Sequence, residues 1–142
     1  MEHVTVSFNI SRQRLLDTLT TAWEQGISYW VNDGDFKEAS VERNAKGFVT
    51  AINFEKHGSR VPAFMPSVTI AGTRDRVARV DVIELAKAYG AALSSAQDGY
   101  DKPLDNPEDN SWAATRELEG NFDATTADAL VQIALFGKVI YG

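Results

Sequence analysis

The chain contains no cysteine, only two histidines and four prolines, and no uninterrupted apolar run of the length a bilayer-spanning helix needs. Without a thiol, thiolate zinc sites, cysteine nucleophiles and redox work are excluded. His3 and His57 are too few for a His-rich transition-metal site, so no metal ligand is assigned. The opening residues, Met1-Glu2-His3-Val4, lack the basic and apolar regions of a secretory signal, which leads us to expect an intracellular protein. Basic residues are scarce in one part of the chain. Residues 1–97 hold eleven acids and eleven bases, whereas residues 98–142 hold nine acids and three bases, so the second segment carries the whole net charge of −6.

What is present describes one globular domain. The 142 residues are 44% hydrophobic and 24% charged, enough apolar content to bury roughly two-thirds of the unfolded surface and too much for disorder. No repeat or linker divides the chain, and residues 1–142 read as one α+β domain with about three helices packed on a small antiparallel sheet.

Val4, Val6 and Phe8 alternate with polar residues, predicting a first strand over 3–10. Ser11 can cap a helix bearing Leu15, Leu16, Leu19, Ala22 and Trp23, with Gly26 as its left-handed stop. Residues 27–31 read as a strand, which would turn Tyr29 to the core and leave Trp30 on the opposite face. Residues 48–54 form another strand, to which Lys37–Arg43 can pair as a hairpin through Asn44-Ala45-Lys46-Gly47. Pro62 and Pro66 mark 55–66 as loop, and Ser67–Ile70 is a short apolar piece. Asp81 with Glu84 fits a capping box, and the stripe Val82, Leu85, Ala86, Tyr89, Ala92, Leu93 and Ala96 continues the helix. Residues 98–120, with Pro103 and Pro107, form a long acidic loop excursion with at most a short helical piece near Trp112–Leu118. The last helix, 124–136, is capped by Asp123 and closed by Gly137. Only Asp128 and Gln132 interrupt its apolar surface beyond the first-turn threonines, so it is either the central core helix or a subunit interface. The C-terminal residues Val139–Gly142 read as a docked strand.

Two segments resemble a known group. The run from Trp23 to Trp30, with its Gly26-Ile27-Ser28-Tyr29-Trp30, and the run from Asp123 through Ala134-Leu135-Phe136-Gly137-Lys138-Val139-Ile140-Tyr141-Gly142 are similar to small proteins of tailed phages and prophages. That group carries Gly-x-x-Tyr-Trp after a helix and ends in Ala-Leu-Phe-Gly-x-Val-x-Tyr-Gly. Lys138 stands where its pattern commonly has an acid. The resemblance implies a viral accessory protein in the cytoplasm of a bacterial host and supplies no catalytic residue. Small phage proteins often counter host defence by binding a defence protein or by sequestering its nucleotide signal.

Two opposed charge clusters match those two routes. Between residues 56 and 79, Lys56, Arg60, Arg74, Arg76 and Arg79 face a single acid, Asp75. Guanidinium forks chelate phosphate oxygens, so Arg60, Arg74, Arg76 and Arg79 are candidate nucleotide-phosphate ligands, with Tyr29 or Trp30 for base stacking. The same cations can instead neutralise the acidic segment of the same or a neighbouring chain. Asp101, Asp105, Glu108 and Asp109 lack calcium-loop spacing and read either as a solvated loop or as a surface imitating nucleic acid toward a basic partner. His57, Ser59 and Asp75 form no oriented triad, so no catalytic residue and no cofactor are assigned. The net charge argues against direct nucleic-acid binding. The leading reading is a non-enzymatic anti-defence protein, an oligomer through helix 124–136 that sequesters a nucleotide signal. Alternatives are an acidic inhibitor of a host defence complex and a phage structural or housekeeping protein.

Overall fold

The first helix starts at Ser11, whose hydroxyl oxygen accepts the Arg14 N–H at 3.1 Å and so satisfies one of the donors every helix start leaves free. The computed structural model describes residues 9–32, 36–56, 68–69, 76–98 and 123–142. Helix α1 (Arg12–Thr21) buries Leu15, Leu16 and Leu19 on one face. It widens over Ala22–Gly26 into a π segment, in which the Ile27 N–H reaches back five residues to the Ala22 carbonyl. One further helical turn, α2 (Ser28–Val31), follows.

Two expectations for this region are corrected. Residues 28–31 are helical and not a strand, with Ile27 at the bend before them, so Tyr29 and Trp30 are separated by about 100° around a helix rather than by a strand's half-turn. Gly26 is not a left-handed stop. It lies inside the π segment because a Cβ there would fall 2.9 Å from the Ala124 carbonyl oxygen and 3.3 Å from the Asp128 Cβ. Of the expected first strand, residues 3–8 lie outside the described residues, and Asn9 and Ile10 are not in strand conformation.

The sheet is antiparallel with order β1-β2-β4-β3, formed by β1 (Phe36–Arg43), β2 (Val49–Lys56), β3 (Val68–Thr69) and β4 (Arg76–Asp81). The hairpin through Asn44–Gly47 forms as expected, with the Asn44 side chain accepting the Lys46 and Phe48 N–H groups. Strand β4 was not anticipated, because its three charged residues obscure a period-2 pattern that here buries Val80 and half-buries Ala78. The register places Ala39, Phe54 and Ala78 in one row and Val41, Ile52 and Val80 in another, and these rows meet the helices. The alternate rows carry Ser40, Asn53 and Arg79 on the outer face.

Helix α3 (Val82–Asp98) follows β4 without a loop. The Asp81 Oδ1 accepts the Glu84 N–H at 2.9 Å, while the Glu84 carboxylate pairs with Lys87 instead of returning to Asp81 as a full box requires. Among the described side chains its buried face holds Leu85, Ala88, Tyr89 and Ala92, and Ala86 is exposed; the side chains of Leu93 and Ala96 lie outside that description. Helix α4 (Ala124–Phe136) has the expected bounds. Asp123 and Thr126 exchange reciprocal side-chain to backbone bonds, and Gly137, at φ 80°, supplies the left-handed stop.

Every residue of α4 from Thr126 to Phe136 is buried by its own chain, against α1, the π segment, α3 and β4. The apolar circumference is therefore that of a central core helix. Of the two readings of helix 124–136, central core helix or homo-oligomer interface, the burial of Thr126–Phe136 supports the first. The fold is α+β, with the helices on one side of the sheet. Among the described residues no helix is long and apolar enough to cross a membrane. The expected acidic loop excursion over 98–120, including the short helical piece expected near Trp112–Leu118, lies beyond Asp98 outside the described residues.

Candidate functional site

The polar interruption of α4 becomes a buried network. Asp128 and Gln132, one helical turn apart, point toward α2 and the C-terminal residues, and both are buried. Trp30 donates its indole N–H to Asp128 Oδ1 at 2.7 Å, Gln132 Nε2 donates to the same oxygen at 2.8 Å, and the Tyr29 hydroxyl donates to Oδ2 at 2.7 Å. The Gln132 amide also does what a neighbouring strand would do for the chain end. Its Oε1 accepts the Ile140 and Tyr141 N–H groups at 2.9 and 2.8 Å, and its Nε2 donates to the Tyr141 carbonyl at 3.1 Å. The expected C-terminal strand is thus a docked extended segment held by a side chain, outside the sheet.

The indole of Trp30 is fully buried between Phe54 and Tyr141, stacked on the latter at 5.3 Å between centroids and 4° between planes, with Phe136 at its edge. Tyr29, by contrast, exposes 54% of its surface. The exposures are therefore the reverse of those a strand would impose. Trp30 has no face free for a nucleobase, whereas Tyr29 has.

Burial pushes the Asp128 carboxyl above the usual aspartate range, against three donors that favour its ionised form. The Tyr29 hydroxyl is also raised, first by burial and then by its bond to the Asp128 carboxylate. Beside this network lies a cleft of about 560 Å³, lined by Gln25 and Gly26 of the π segment, by Tyr29, by Ala124, Thr125, Asp128 and Ala129 of α4, and by residues 139–142.

The basic cluster divides. Arg79 lies on the outer face of the sheet, where its Nε donates to Glu42 Oε2 at 2.8 Å and its Nη1 to Asp81 Oδ2 at 2.8 Å. Its guanidinium is engaged by acids of the sheet itself. Through this contact Arg79 holds the Glu42 carboxyl below its ordinary range. Arg76 begins β4, and the ladder sets it opposite Lys56 on one side and Thr69 on the other, with Phe36 beyond Lys56. The side chain of Arg76 makes no ion pair among the described residues. Arg60 and Arg74, like Asp101, Asp105, Glu108 and Asp109, lie outside the described residues, as do His57, Ser59 and Asp75.

Among the described residues no three His, Asp or Glu side chains come together as a metal site would require. No family model, curated protein or solved structure matches the chain. Sequence reasoning isolated Asp128 and Gln132 as a polar stripe without finding their partners. The signal was the adjacent Tyr29 and Trp30, whose hydroxyl and indole N–H need acceptors once either is buried.

Proposed function

We propose that this is a non-enzymatic binding protein for a phosphate-bearing small molecule of the nucleotide class, sequestering a host signal in the cytoplasm of an infected bacterial cell. The infection context rests on the resemblance of residues 23–30 and 123–142 to phage proteins. The observation that carries the ligand class is the row Phe36, Lys56, Arg76 and Thr69, which the ladder aligns across all four strands at one end of the sheet.

Like charges directly opposite on neighbouring strands repel by a few tenths to about 1 kcal/mol, and an anion held between them reverses that cost. Lys56 ends β2 and Arg76 begins β4, so the connection that carries Arg60 and Arg74 leaves from and returns to this row. Arg76 supplies a guanidinium for phosphate charge pairing, and the ladder sets the backbone positions of Lys56 and Thr69 directly beside it. Arg79 is left out of the assignment because two carboxylates already engage it.

Calorimetry and thermal melting of the full chain test the proposal, with cyclic mononucleotides, cyclic dinucleotides and ADP-ribose as ligands. The melting midpoint should rise with at least one of them, corresponding to about 2.7 kcal/mol at a hundredfold excess over Kd. The double variant Arg74→Ala, Arg76→Ala should lose that rise. A wild-type chain unmoved by all three ligand classes, or a double variant that keeps the full response, would overturn the proposal.

A further inference from the structure

The cleft beside Tyr29 has a chemistry opposite to that of the cation row. Among the described residues no lysine, arginine or histidine lines it, and its one acidic side chain is Asp128. Asp128 is only 7% exposed, yet the three groups that bond its carboxylate are neutral, namely a phenol, an indole and an amide. Buried carboxylates are ordinarily matched by a cation, and none meets this one among the described residues.

The bonds are also unevenly shared. Oδ1 accepts from Trp30 and Gln132, whereas among the described residues Oδ2 accepts from Tyr29 alone, so the carboxylate, with about four acceptor positions, keeps capacity on Oδ2. On the cleft wall the Tyr29 ring is more than half exposed, with Ala129, Val139 and Ile140 as apolar neighbours. The volume of about 560 Å³ suits a small organic ligand.

We propose that this cleft binds a small organic cation with a flat apolar body, an aryl amidinium or ammonium, whose N–H groups meet Asp128 and whose body lies along Tyr29. The ligand's cationic group supplies the countercharge that the Asp128 carboxylate lacks, and the Tyr29 ring face adds cation–π attraction. An anionic ligand would meet an uncompensated negative charge there. The site is independent of the phosphate proposal, since it shares no residue with the row at the sheet end.

The test uses the full chain with three probes of similar size and different charge: benzamidine, benzamide and benzoate. Benzamidine should raise the melting midpoint and bind at least about tenfold more tightly than benzamide, a difference of about 1.4 kcal/mol, and benzoate should bind more weakly still. Thr125→Trp, an exposed substitution on the cleft wall, should remove the benzamidine response without disturbing the Asp128 network. Asp128→Asn should erase the preference for benzamidine over benzamide. Equal response to benzamidine and benzoate, no response to benzamidine, or an undiminished response in Thr125→Trp would each overturn the proposal, and the last applies even if Asp128→Asn fails to fold.

Discussion

Two carboxylates in this molecule are held by several donors and respond in opposite directions. Glu42, on the outer face of the sheet, accepts from Arg79 and Asn53 and is held below its ordinary pKa range. Asp128, under the C-terminal residues, accepts from Tyr29, Trp30 and Gln132 and is raised. The number of hydrogen bonds does not separate them. What does is the charge of the donor and the access of water: Glu42 has a guanidinium partner and stays hydrated, whereas Asp128 has neutral donors and is buried. The first is surface electrostatics of small energetic weight, and the second is an internal joint of the fold.

The largest expected effect lies at the joint. Asp128→Ala leaves the indole N–H and the Gln132 amide without their acceptor inside the core and removes the anchor of the Tyr29 hydroxyl, and it should cost about 3 kcal/mol in urea unfolding. The substitution Glu42→Ala, measured in the same way, should leave the midpoint close to wild type. Equal losses at the two positions would break the contrast.

A smaller effect is expected where the same joint is packed rather than bonded. Gly26→Ala places a Cβ 2.9 Å from the Ala124 carbonyl oxygen, so the π segment and α4 must separate, at about 2 kcal/mol. Loss of Tyr29 hydroxyl bonding to Asp128 should accompany it, visible as a change in tyrosine absorbance. A Gly26→Ala chain as stable as wild type would show that the two elements meet less tightly than their geometry requires.

The smallest and most specific effect is in pH dependence, and the two carboxylates should give opposite signs. Because the folded pKa of Glu42 lies below its unfolded value, its contribution is present above the unfolded pKa and is lost as pH falls through the folded one. The advantage of wild type over Glu42→Gln should therefore shrink in acid. The Asp128 pKa is raised on folding, so its favourable contribution is full below the unfolded value and is lost as pH rises through the folded one. Wild type should then lose ground to Asp128→Asn between acid and neutral pH. Thermal melts across that range check both trends, and parallel trends would contradict the assigned causes.

Elements built from local rules were legible. Ser11 at the start of α1, Asp81 at the start of α3, Asp123 and Gly137 at the ends of α4, and the turn Asn44–Gly47 are each set by contacts within a few residues, and all appear where the residue pattern places them. Residues 27–31 are ambiguous because a short run that is apolar but for Ser28 fits a strand or a buried helical turn equally well, and packing of Trp30 between Phe54 and Tyr141 chose the turn. Strand β4 was hidden because Arg76, Arg79 and Asp81 weaken its hydrophobic signal, while pairing with β2 supplies the order its own sequence does not advertise. Of the candidate ligands, Arg76 and Tyr29 keep chemistry to offer, Trp30 is enclosed, and Arg79 is bound by neighbouring acids.

By itself the sequence determined the α+β class, the helix caps, the hairpin and the absence of thiol chemistry, because each follows from residue type and short-range spacing. Only the tertiary structure decided that α4 is the core rather than an interface. It alone turned Asp128 and Gln132 from a polar stripe into a buried joint and showed that, among the described residues, Arg79 is ion-paired and Arg76 is not. The physical reason is common to all three: desolvation and ion pairing depend on which groups meet across tens of residues, as Trp30 and Asp128 do, and no periodicity along the chain encodes those meetings.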